Sequence, residues 1–125
     1  MSEAFHNGGW GMFPTSIMGL VLLVVAGLYA RRPAKGQLGI VLGFAAMTFL
    51  AGCLGFVAGA IKTLSAAGQL NDPTMSPGQL AALGISESLN NIALALVMLV
   101  LAAIVTTIGT IRASRTNGLT VAARS

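Results

Sequence analysis

The 125-residue chain is 55% hydrophobic and carries seven Lys or Arg against three Asp or Glu, so that only 8% of its side chains are charged. Soluble domains carry about 25% charged residues, and so few charges cannot clothe even one domain in water. A water-soluble globule is excluded, and lipid is the solvent for most of this surface. The formal net charge of +4 does not mark a nucleic-acid binder, because the basic residues are scattered at the ends of apolar runs and form no patch.

The first residues hold Glu3 and a lone His6, read as a solvated or interfacial side chain, and no basic stretch of the kind that opens a cleavable signal peptide. Insertion is therefore expected to begin at the first apolar run, 12–30. Pro14 suits the first turn of a helix, and Arg31, Arg32 and Pro33 close it. Trp10, Phe13 and Tyr29 fall where interfacial aromatics anchor a span. A second apolar run covers 38–61. Asn71, Asp72, Pro73, Ser76, Pro77 and Gly78 form a loop. The third helix is expected from about Pro77, with its span at 80–111 and its fully apolar part after Glu87. A helix needs about 20 residues to cross a hydrocarbon core of about 30 Å, and backbone in lipid must satisfy its own hydrogen bonds. The expected fold is an all-α membrane bundle of three transmembrane helices in one domain, followed by a short polar tail at 113–125, a frayed helix end leading into disorder.

Lys and Arg counts orient such a bundle. Arg31, Arg32 and Lys35 lie between spans one and two, and Arg112, Arg115 and Arg124 follow span three. Three spans put both groups on one side, opposite Glu3, Lys62 and Asp72. The positive-inside rule makes the basic side cytoplasmic and the N-terminus external.

Glu87 is the one acidic residue within a span region, and an ionisable group in lipid is a functional candidate. Two accounts stay open: an ion pair with Lys62, or a proton-carrying or gating role shared with Asn91. Glu87, Asn91 and Ala95 follow one another at four-residue spacing, which places them on one helical stripe. Such a stripe glues helices or faces water. Glu87 also precedes Arg112 by 25 positions, about 37 Å of helix, which sets it toward the outer edge of the span. Small residues at four-residue spacing mark helix contacts: Gly39 and Gly43; Ala51, Gly55 and Gly59; and Ala102, Thr106 and Thr110. They point to a tight bundle or a homo-oligomer. The single Cys53 can form no disulfide within the chain and is read as a buried structural thiol. No catalytic set, phosphate-binding loop, metal-ligand cluster or cofactor motif is present, so an enzyme is not expected.

Two local motifs carry a family resemblance. Leu54-Gly55-Phe56-Val57-Ala58-Gly59-Ala60-Ile61 and Gly84-Ile85-Ser86-Glu87-Ser88-Leu89 resemble the second- and third-span patterns of the MotA/TolQ/ExbB proton-channel family. The opening Gly8-Gly9-Trp10-Gly11-Met12-Phe13-Pro14 is similar to short bacterial relatives of that family. The resemblance covers roughly spans two and three with their outer loop. It implies a multi-pass protein of the bacterial inner membrane, a homo-oligomer, a single-span partner of the ExbD/TolR type, and proton-driven work at Glu87. Phe56 and Ile92 stand where the family has Thr, and the large cytoplasmic insertion between spans one and two is reduced to 32–37. The alternative implied by these departures is a scaffold or accessory subunit that keeps the membrane body without conduction.

Overall fold

The computed structural model describes residues 12–69, 74 and 76–125, which form three α-helices: α1 Met12–Arg31, α2 Gln37–Gln69 and α3 Pro77–Arg124. All three are long and apolar enough to cross a membrane. The loop residues Asn71, Asp72 and Pro73, and the N-terminal His6 and Trp10, lie outside the described residues.

Local chemistry explains the boundaries. Pro33 cannot continue α1, and Gly36 turns the chain with φ +96°, a backbone state that L side chains rarely adopt. Gln37 N then donates to Ala34 O at 3.2 Å as α2 begins. Ser76 caps α3. Its Oγ accepts from Gln79 N at 3.3 Å, its own N donates to Gln79 Oε1 at 3.3 Å, and Pro77 occupies the first turn.

The 33 and 48 residues of α2 and α3 span about 50 and 72 Å at 1.5 Å per residue. Both outrun the hydrocarbon core. α3 runs unbroken to Arg124, which corrects the expected frayed and disordered tail at 113–125. That segment has no proline, and Thr116 and Thr120 bond back to the carbonyls of Arg112 and Thr116 at 3.1 and 2.7 Å. Gly118 costs such a helix only about 1 kcal/mol.

Close approaches fix the directions. A Cβ placed on Gly52 would meet Ala95 Cβ at 2.6 Å, Gly59 lies against Ser88, and Gly84 lies against Thr63. Numbers rise along α2 as they fall along α3, so the two are antiparallel. Gly19 lies on Met98, and Gly109 on Tyr29 and Ala30, so α1 and α3 are parallel.

Buried positions recur at alternating spacings of four and three. They are Thr15, Gly19, Leu22, Ala26 and Tyr29 on α1, and Gly84, Ser88, Asn91 and Ala95, then Ala102 and Gly109, on α3. On α2 Val41, Thr48, Gly52 and Gly55 keep the same 3.5-residue period. That period produces left-handed packing of neighbouring helices. Large aliphatic side chains face outward instead: Leu20, Val24, Leu50, Leu54 and Val100 are each 58–67% exposed. The bundle is small inside and bulky outside. This is the arrangement suited to lipid, where close backbone approach, and not escape from water, holds helices together.

The small-residue expectations resolve along this period. Gly59 lies at a helix contact, Gly55 and Ala102 are buried, and Ala51 and Thr106 are half-buried beside them. Gly39 and Gly43 are both exposed, and a Cβ at either would meet nothing within 4 Å. They fall between the positions that the 3.5-residue period turns inward.

Candidate functional site

The α2–α3 seam carries the polar residues that the sequence singles out. Ser88 is buried at 3% exposure and Asn91 at 2%. Glu87 is exposed. The stripe expected to run through Glu87, Asn91 and Ala95 is therefore split. Asn91 and Ala95 turn inward with Ser88 and Gly84, and Glu87 stays outside, because the seam steps by four then three and not by four alone. Asn90 and Ser86 are exposed as well.

The contacts of Gly19 with Met98 and of Gly109 with Ala30 place Met12 level with Asn91. Glu87 lies one further turn along α3, about 6 Å beyond that level. Lys62 and Glu87 adjoin the seam residues Thr63 and Ser88. Both are exposed, and among the described residues no ion pair joins them. The expected pairing is not formed. An exposed pair gains about 0–1 kcal/mol at best, too little to hold two long side chains in one geometry.

The hydroxyls of the seam are spent within their own helices. Ser88 Oγ donates to Gly84 O at 2.8 Å and Thr63 Oγ1 to Gly59 O at 2.9 Å; Thr48, fully buried, donates to Phe44 O at 2.8 Å. Such back-bonds satisfy a donor in lipid without reaching a neighbour. Thr106 Oγ1, further along α3, is an exception, buried with no partner, and so is the buried acceptor Asn91 Oδ1. Next to it the seam is tight, since a Cβ on Gly52 would also meet Asn91 O at 3.3 Å. Phe56 and Ile92 are half-buried, as is Cys53, whose thiol is free.

A second cluster forms at the opposite end. Arg31, Arg32 and Lys35 leave α1, and Tyr29 Oη lies 3.4 Å from Thr110 Oγ1, one half-turn before Arg112. The exposed Arg31, Arg32, Lys35, Arg112 and Arg115 thus share one end of the bundle, in agreement with three crossings.

Gly19, Gly52, Gly84 and Gly109 make close approaches as Gly59 does, but are not singled out by a four-residue spacing rule. Their signal is the alternation of four and three among small residues, visible in Gly84, Ser88, Asn91 and Ala95. The chain matches no family model, no curated protein and no solved structure.

Proposed function

We propose that the chain is an ExbB/TolQ-like multi-pass protein of the bacterial inner membrane that serves as a non-conducting scaffold or accessory subunit of a larger membrane complex. Its N-terminus is external and its C-terminus cytoplasmic, a reading supported by the five basic residues gathered at one end. The observation that carries the scaffold reading is the closed seam. Gly52 lies so close to Ala95 that one added methyl would meet it at 2.6 Å, and Ser88 and Thr63 turn their hydroxyls onto their own backbones. A proton path needs water or hydrogen-bonding groups at short intervals, and these groups are already engaged.

A second reading is favoured by one specific feature. Glu87 sits on the outer surface one turn from the unpartnered Asn91 Oδ1. In a homo-oligomer around an ExbD/TolR-like single-span partner, a neighbouring copy would meet it there and protons would move between subunits.

Proton flux in proteoliposomes separates the two. The wild type is expected to match empty liposomes, with and without a co-reconstituted partner, and Glu87→Gln to behave the same. A flux that Glu87→Gln abolishes would transfer the assignment to the channel reading. Glu87→Gln should change stability by less than about 0.5 kcal/mol, as exposed substitutions do, so lost flux would not reflect unfolding.

A further inference from the structure

We infer that the cleft between the end of α1 and the start of α2 binds the headgroup of an anionic phospholipid of the phosphatidylglycerol type. The cleft has a volume of about 480 Å³ and is lined by Leu28, Arg31, Arg32 and Gln37. Its place in the fold is the first argument. It opens where α1 reaches its last turn, the depth at which phospholipid phosphates meet a spanning helix.

Its chemistry is the second. Arg31 and Arg32 are two adjacent guanidiniums, the side chain best shaped for a phosphate diester. The N-terminus of α2, which begins at Gln37, adds partial positive charge on the same wall. Leu28, 58% exposed, continues the cleft toward the hydrocarbon and suits an acyl chain.

Gln37 selects among anionic headgroups. Its Oε1 is buried and has no hydrogen-bond partner, and leaving such an acceptor unsatisfied costs about 1–3 kcal/mol. A bare phosphate diester has no donor to give it. A glycerol headgroup does: once the Gln37 amide turns from its closed position into the cleft, the headgroup hydroxyl donates to Oε1 while its phosphate meets the two arginines. The site rests only on the chain lying in a membrane and is independent of whether protons cross it.

The test is native mass spectrometry of the full chain in detergent, titrated with dihexanoyl-phosphatidylglycerol, dihexanoyl-phosphatidylcholine or inorganic phosphate. The glycerol lipid is expected to form the tightest adduct. The double variant Arg31→Gln/Arg32→Gln should weaken it by at least about 10-fold, the loss expected from even one charge-assisted hydrogen bond to the phosphate. Leu28→Trp, which keeps every charge and fills the cleft, should weaken it as well. Arg115→Gln/Arg124→Gln should not. Equal losses in the two arginine double variants, or no preference over phosphatidylcholine, would overturn the site. Displacement of the lipid by equimolar inorganic phosphate would overturn the lipid assignment in favour of a small-anion site.

Discussion

Replacing Gly52 by Ile is expected to destabilise the bundle by about 1–3 kcal/mol, the cost of overpacking a filled interior, whereas Gly43→Ile on the same helix should be close to neutral. The first methyl placed at position 52 meets Ala95 Cβ at 2.6 Å and Asn91 O at 3.3 Å. The second contact is with backbone, which cannot swing aside as a long side chain could. The α2–α3 seam must then open along its length, and Gly59 against Ser88 opens with it. At position 43, which is exposed, an added Cβ meets nothing within 4 Å, and an isoleucine is at home in lipid there. Steric-trap unfolding in bicelles measures both variants. Equal effects at the two sites would remove Gly52 from the seam.

Truncating Leu22 to Ala has the next largest expected effect. Leu22 is fully buried and, among the described residues, is the largest side chain to be so. In water-soluble proteins Leu→Ala in a core costs about 2.7–5 kcal/mol, part for transfer out of water and part for the cavity. In a bilayer the separated helices are also in an apolar medium, so the transfer part falls away and the cavity part stays. About 1–3 kcal/mol is therefore expected. Leu20→Ala, at a position 58% exposed, should be near zero. The same unfolding measurement decides it, and a loss at Leu20 equal to that at Leu22 would mean that α1 is rotated relative to the bundle described.

These two pairs also show where the sequence was readable. The three apolar runs, the basic loop after α1 and the start of α3 near Pro77 are local features, and each declares itself within a few residues. Packing faces are not local in that sense. In a chain this apolar, inward positions are mostly small, several of them polar (Thr15, Thr48, Ser88, Asn91), and outward ones are large aliphatics, so a search for a hydrophobic face turned inward finds none. Counting small residues at four-residue spacing recovers Gly55 and Gly59, whose neighbours Gly52 and Thr63 keep the 3.5-residue period, and it misplaces Gly39 and Gly43, which do not. The same one-step difference in period separates Glu87 from Asn91. A stripe drawn through both joins an exposed carboxylate to a buried amide. The helical continuation to Arg124 is hidden for another reason: 113–124 is polar, as a disordered tail would be, yet it holds no proline to break the helix.

The orientation of the bundle determines which face any partner can meet. Substituting cysteine at Ser65 on α2 and Ser114 on α3, both exposed, in a Cys53→Ser background tests it directly with a membrane-impermeant maleimide applied to intact spheroplasts. Labelling is expected at position 65, and at position 114 only after the membrane is permeabilised. Labelling of both positions from outside would contradict three crossings, and labelling of position 114 alone would reverse the proposed orientation.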